Sequence, residues 1–357
     1  MRAALLLDYD EPLVIENVRA VALGDHEVRV RVDASGVCHS DLSVLQGKVK
    51  MRVPTILGHE GSGTVTEVGP AVRRTRVGDR VVVSFHPTCG TCWFCRHDLP
   101  NHCEHDIGAT ATRALRDDGG EVHTMLGLGT FAEEMSVHEF QVVPVRTDLP
   151  AEQLALIGCA VTTGVGAALN TAQVTPGSVV AVIGCGGVGQ AVIQGARIAG
   201  AARILAVDPV ESKREQAAAF GATDLIDPTA VDVAVALREA TGGRGVDFAF
   251  EVVGNPDTVV QAFKGTRKAG TVTMVGMPST DAKLTLPAFR MFSEEKRLLG
   301  CWYGSAHIDR DFQRCIDLVE SGRLDIGSLV TRRIGLDDLN EAFDDMSEGR
   351  VIRSVVV

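Results

Sequence analysis

The chain of 357 residues is 45% apolar and 23% charged, with a formal net charge of -11. That length predicts two domains with separate apolar interiors, the acidic balance excludes a nucleic-acid surface, and no stretch approaches the roughly 20 uninterrupted apolar residues of a membrane span. The opening MRAALLLDYDEP has only a short apolar run, closed by Asp8 and Asp10, so a soluble, cytoplasmic protein without a secretory signal is expected.

In chain order, EVRVRVDASG, SGTVTEVGPAV, GDRVVVSF and FAEEMSVHEFQVVPV alternate with period 2 and predict strands of a mostly β first half. Nine cysteines in a reducing compartment point to metal ligands or reactive thiols rather than disulfides. Cys89, Cys92, Cys95 and Cys103 follow C-x2-C-x2-C-x7-C, and such short intervals let one loop wrap its thiolates round a tetrahedral ion. Zinc fits best, in a closed structural site. An iron–sulfur cluster stays open on spacing alone, as do four unmetallated thiols. Residues 114 to 124, ALRDDGGEVHT, read as an exposed loop.

After about residue 155, strands alternate with Ala-rich helical stretches, which is βαβ order and predicts a parallel α/β sheet. SVVAVIG leads into G-x-G-x-x-G as Gly184, Gly186 and Gly189, then a helix, a second strand and Asp208, 24 positions beyond Gly184. In that setting Gly184 makes the tight turn, Gly186 admits a pyrophosphate and Gly189 lets the helix pack on the sheet. Asp208 accepts from ribose hydroxyls and repels a 2′-phosphate, so NAD is favoured over NADP, with FAD a competing ligand that nothing else supports. The tail from DFQRCIDLVESGRL to VIRSVVV reads as helices and short strands that return to the first domain.

Three candidates for the chemistry are scattered: Cys38 in GVCHSD, His59 in LGHEGSG and Cys159 in IGCAVTTG. Two thiolates and an imidazole leave the fourth zinc position open, the catalytic arrangement. Taken singly, each also suits a buried cysteine or a structural histidine.

GVCHSD, GHEGSGTVTEVG, the four-cysteine loop, IGCAVTTG and GCGGVG with Asp208 stand in an order that resembles the zinc-dependent medium-chain alcohol dehydrogenases over essentially the whole chain. The long segment from Cys103 to Phe131, CWYG at 301 to 304 and the ending RSVVV are similar to the bacterial branch related to thiol-dependent formaldehyde dehydrogenases and aryl or aliphatic alcohol dehydrogenases. The resemblance implies a GroES-like β-barrel catalytic domain, 1–160 and 303–357, interrupted by a Rossmann NAD-binding domain, 161–302. It implies two zinc ions per chain: a catalytic one on Cys38, His59 and Cys159, and a structural one on Cys89, Cys92, Cys95 and Cys103. It further implies Glu60 as a carboxylate able to approach the catalytic metal, Asp41 as the acid that orients His59, and Ser40 as the hydroxyl that passes the substrate proton to the cofactor ribose. For the cofactor it implies His39 and Arg353 on the phosphates, Lys213 on the adenosine ribose, Thr163 and Val188 against the nicotinamide, and Gly184, Gly186, Gly187 and Gly189 in the phosphate turn. Ser43 departs from the pattern, because some members carry there the histidine that ends the proton relay. The relay then ends at ribose and solvent, or uses another base such as His39.

The implied activity is NAD-dependent hydride transfer between a primary alcohol and its aldehyde. Two rivals are a mycothiol- or glutathione-dependent formaldehyde dehydrogenase acting on an S-hydroxymethyl thiol, and a non-catalytic NAD-binding relative, which the intact Cys38, His59 and Cys159 oppose. A polyol enzyme would replace Cys159 by Glu, and Asp208 opposes an NADP-preferring cinnamyl type. The long Cys103–Phe131 segment favours a homodimer over a tetramer, by analogy.

Overall fold

A computed structural model describes residues 1–108 and 111–357. The chain divides into two compact units, Met1–Ala160 with His307–Leu318 and Ile326–Val357, and Val161–Ala306 with Val319–Asp325.

In the first unit, strand Glu27–Gly36 turns Val28 and Val30 inward, where they join Val65, Val81, Val83, Leu128, Met135 and Val137 in one apolar core. Full burial of each such side chain contributes about 1.5–3 kcal/mol. The strand pairs antiparallel with Glu60–Val68, Gly36 opposite Glu60, and on its other edge with Glu134–His138 and Arg353–Val356, Val355 opposite Gly36. This register brings three chain segments to one place: the turn after Gly36, the start of Glu60–Val68 and the start of Arg353–Val356. The sheet continues to Arg80–Val83 and Val142–Pro144 on one side and to Val330–Ile334 on the other. A second sheet, from Val14–Asn17 through Arg2–Leu6, Thr55–Ile56, Glu121–Thr124 and Ala114–Leu115 to Arg19–Ala20, shelters a core around Leu5, Leu6, Ile56, Phe131 and Phe343.

The expected loop at 114 to 124 is instead a β-hairpin, Ala114 opposite Val122 and Leu115 opposite Glu121. Its Asp-Asp-Gly-Gly segment is the turn, where Gly119 takes a positive φ and the Arg116 N–H donates to the Gly120 carbonyl, and Val122 supplies the buried side chain. The stretch FAEEMSVHEFQVVPV forms two strands, Glu134–His138 and Val142–Pro144, with a 3-10 turn at Glu139–Gln141 between them.

The helical run Ala151–Thr171 is long and apolar enough to cross a membrane, yet 78% of its apolar window is buried inside the protein. The sequence count passed over it because glycine, threonine and asparagine interrupt the apolar residues. Its first turns pack on the site strands: Ser62 Oγ donates to the Ala151 carbonyl at 2.7 Å, and Leu156 lies over Gly36.

The second unit holds a fully parallel sheet in the spatial order Asp224–Ile226, Arg203–Val207, Val179–Ile183, Val246–Glu251, Thr266–Met274, Arg297–Gly300. Numbered along the chain, that is 3-2-1-4-5-6, the doubly wound order, and the direction of winding reverses between Val179–Ile183 and Val246–Glu251.

Candidate active site

Because Gly36 faces Glu60, Cys38 at the turn after one strand and His59 just before the next come together. Cys159 arrives from the first of two wide π-type turns of the buried helical run, Ile157–Val161, and such turns recur at functional sites. One ligand atom from each of Cys38, His59, Glu60 and Cys159 lies within 4.8 Å of the others, and all four side chains are buried.

Asp41 organises this cluster. It is the third residue of the helix His39–Leu45, whose N-cap is Cys38, and its Oδ2 accepts the Cys38 N–H at 3.0 Å. Its Oδ1 accepts from the Gly58 N–H at 3.1 Å and stands 3.0 Å from His59 Nδ1. A carboxylate that accepts a hydrogen bond from Nδ1–H keeps that proton on Nδ1 and leaves Nε2 to offer its lone pair, the tautomer a metal-binding imidazole needs. Burial works against a charged His59, but Asp41 outweighs it and holds the imidazole well above its ordinary value. The Cys38 thiol is driven well below the ordinary thiol range, first by its hydrogen bond with Cys159 and, against burial, by Arg353 and His59. Cys159, hydrogen-bonded to Cys38 and buried beside it, is pushed well up.

Glu60 lies across Gly36, where a Cβ would stand 2.1 Å from Glu60 Oε2, so only glycine fits opposite it. Its Oε1 accepts from Arg353 at 2.8 Å, while Oε2 is buried and, among the described residues, has no partner. Burial raises the Glu60 carboxyl to about 7 although Arg353 pulls it down. Arg353 is itself buried and also donates to the Val37 carbonyl at 2.8 Å. Ser40 Oγ, half-buried, stands 3.9 Å from Cys38 Sγ, and His39 is exposed on the same helix. Sequence reasoning missed the Glu60–Arg353 pair, whose members are 293 positions apart, and Phe85, whose ring stands edge-on to His59 at 5.9 Å. The only available signal for Phe85 was its place at the end of GDRVVVSF.

The four loop sulfurs also lie within 4.8 Å of one another. Cys89 to Cys95 and Cys92 to Cys103 are each 3.9 Å, against about 3.8 Å for the edge of a tetrahedron with 2.3 Å zinc–sulfur bonds. Sulfurs this close leave no room for a multi-iron cluster between them. The N–H groups of Thr91 and Cys92 donate to Cys89 Sγ, that of Cys95 to Cys92 Sγ and that of Cys89 to Cys103 Sγ. Burial opposes it, but these donors and the Thr91 hydroxyl bring Cys89 down to about 6. A set of thiols held close and supplied with donors suits thiolates round a cation.

The dinucleotide candidates lie in the second unit. Among the described residues nothing beyond Gly186's own chain neighbours comes within 4 Å of a would-be Cβ there, whereas one on Gly189 would stand 1.9 Å from the Gly184 carbonyl oxygen. The first leaves open space at the N-terminus of helix Gly187–Ile198, and the second lets that helix close on the turn. Asp208 is buried at the strand end, its Oδ2 accepting from the Cys185 N–H at 2.7 Å and its Oδ1 from the Val210 N–H at 2.9 Å. Lys213 follows on helix Glu211–Phe220, its carbonyl bonded by Gln190 from the fingerprint helix. Thr163 sits next to Gly164, which packs against the Val188 carbonyl.

A family model described as Alcohol dehydrogenase GroES-like domain matches residues 24–147, and one described as Zinc-binding dehydrogenase matches residues 187–321. The chain is 37% identical over 368 aligned positions to the NDMA-dependent alcohol dehydrogenase of Amycolatopsis methanolica, covering 100% of this chain and 98% of that one. It is 35% identical over 366 positions to alcohol dehydrogenase B of Mycobacterium tuberculosis, covering 99% and 97% of the two. The crystal structure of benzyl alcohol dehydrogenase from Acinetobacter calcoaceticus superposes with a TM-score of 0.92 at 31% identity, covering 99% of this chain and 98% of that one.

Proposed function

The chain belongs to the zinc-dependent medium-chain alcohol dehydrogenases, and from that premise we propose that it moves a hydride between primary alcohols, aryl or medium-chain, and NAD. The observation that carries this reading is the buried set of Cys38, His59 and Cys159, with Asp41 turned to His59 Nδ1. When bound, zinc supplies Lewis-acid charge that acidifies a substrate hydroxyl and NAD supplies the hydride acceptor.

The remaining work falls to the chain. Cys38 and Cys159 provide sulfur ligands, His59 provides Nε2, and Asp41 fixes the ring. Ser40, beside Cys38, takes the hydroxyl proton and hands it on toward solvent. Glu60 keeps Oε2 for the cation while Arg353 holds Oε1, and Phe85 offers an apolar wall suited to an aryl carbinol. Cys89, Cys92, Cys95 and Cys103 would hold a second, structural zinc. Gly184, Gly186, Gly187 and Gly189 hold the pyrophosphate, Asp208 and Lys213 the adenosine ribose, Thr163 and Val188 the nicotinamide, and His39 with Arg353 the phosphates. Residues 1–160 and 303–357 form the catalytic domain and 161–302 the cofactor domain of a cytoplasmic homodimer.

The test is NADH formation with a panel of benzylic and aliphatic alcohols, and with formaldehyde plus glutathione or mycothiol. Turnover of simple alcohols without thiol is expected. Turnover only when thiol is present would establish the S-hydroxymethyl thiol reading instead. Because one relative is named NDMA-dependent, NDMA is included as an added acceptor.

A further inference from the structure

Glu251 ends strand Val246–Glu251, immediately beside the point where the winding of the parallel sheet reverses. It is fully buried. Its Oε1 accepts from the N–H groups of Val253 at 2.9 Å, Gly254 at 2.8 Å and Asn255 at 3.3 Å, and from Thr258 Oγ1 at 2.7 Å. Among the described residues its Oε2 is buried with no partner. Four donors on one oxygen, none of them charged, hold the chain after the strand in a single conformation.

The same residue joins three loops. Its carbonyl accepts from Val275 at 2.8 Å and Gly276 at 3.0 Å, which begin the turn after the neighbouring strand Thr266–Met274. Gly254 and Gly276 then meet backbone to backbone: a Cβ on Gly276 would stand 2.1 Å from the Gly254 nitrogen, and one on Gly254 would stand 2.4 Å from the Met277 carbonyl oxygen. On the other side, the Val252 N–H donates to the Ile183 carbonyl at 2.8 Å, and Val253 Cγ2 stands 2.9 Å from a would-be Cβ on Gly184, the first glycine of the phosphate turn. The loop so fixed leaves Val253 54% and Met277 42% exposed, apolar side chains in the open at the carboxyl ends of parallel strands. In sheets of this winding, ligands bind in the crevice outside those strand ends, at the reversal point.

We propose that Glu251 is a positioning residue for the dinucleotide, setting the loop 252–255 so that Val253 forms the wall of the crevice facing the Gly184 turn. The proposal rests on the NAD reading above and adds to it a residue that touches no cofactor atom itself. A Glu251 that served stability alone would leave cofactor affinity in the folded protein unchanged.

The experiment is calorimetric titration of the purified protein with NADH, beside thermal melting of each variant without cofactor. Glu251→Ala removes the shared acceptor and is expected to weaken NADH binding by about tenfold or more at temperatures where the variant is folded. Glu251→Gln keeps an acceptor oxygen for the same donors and should recover most of that loss. Val253→Ser, which leaves Glu251 in place, should weaken NADH binding by about threefold to tenfold with little change in melting temperature. Should Glu251→Ala fail to fold, Glu251→Asp, whose carboxylate falls one methylene short of the loop, takes its place in the comparison. Wild-type protein that binds no NADH would overturn the NAD reading and this proposal together. Wild-type protein that binds NADH, with folded Glu251 variants and Val253→Ser binding it equally well, would overturn this proposal alone.

Discussion

His59 Nδ1 lies 3.0 Å from Asp41 Oδ1, and the same carboxylate also holds the backbone N–H groups of Cys38 and Gly58. One buried acid therefore sets the tautomer of the candidate ligand histidine and the backbone on both sides of the site. Asp41→Ala is expected to lower catalytic-site metal affinity and kcat/KM by about 10- to 100-fold, as loss of a carboxylate behind a ligand histidine does elsewhere. Metal content after dialysis, measured with turnover, checks this. Unchanged values for both would remove Asp41 from the site.

Cys92→Ser should act on folding rather than chemistry, because the four-cysteine loop closes on itself. Its melting temperature is expected to fall by roughly 5 °C or more, with kcat at low temperature within about twofold of wild type. A variant with unaltered melting and abolished turnover would assign the loop a direct part in the reaction.

Asp208 should set cofactor choice, giving NAD a preference over NADP of at least about tenfold in kcat/KM, or ~1.4 kcal/mol. Asp208→Ser should shrink that ratio. It should also raise the KM for NAD, since the Asp208 carboxylate anchors the N–H groups of Cys185 and Val210. Steady-state kinetics with both cofactors decides, and an unchanged ratio would place the discrimination in another residue.

Stability should decline on mild acidification through His138. Burial, then the neighbouring His105, lowers its imidazole from 6.5 to about 4, although Glu139 and Glu27 pull the other way. A folded value below the unfolded one means that the unfolded chain takes up the proton first, so stability is intact above pH 6.5 and is lost as pH falls toward about 4. Denaturant titrations of wild type and His138→Gln across that window should diverge, the variant showing the shallower dependence. Parallel curves would mean that another group carries the effect.

Much of this was legible in the sequence, for physical reasons that differ from residue to residue. Gly184, Gly186, Gly189 and Asp208 lie within one βαβ unit, so spacing alone displays their geometry. Cys89 to Cys103 likewise fold as one local loop. Cys38, His59 and Cys159 come together through an antiparallel register and a buried helical turn, and only the resemblance joined them beforehand. The Glu60–Arg353 pair depends on a strand from the far end of the chain lying beside Gly36, and Phe85 on a side-chain direction, which no local pattern encodes. The hairpin at 114 to 124 was hidden because its turn residues outnumber the few that pair.

The central claim, that Cys38, His59 and Cys159 carry a catalytic metal distinct from that of the cysteine loop, is tested most directly by the zinc content of wild type and Cys159→Ser purified side by side. Two zinc ions per wild-type chain, one for each of the two ligand clusters, and one in the variant is the expected result. Equal zinc in the two proteins, or iron in place of zinc, would contradict it.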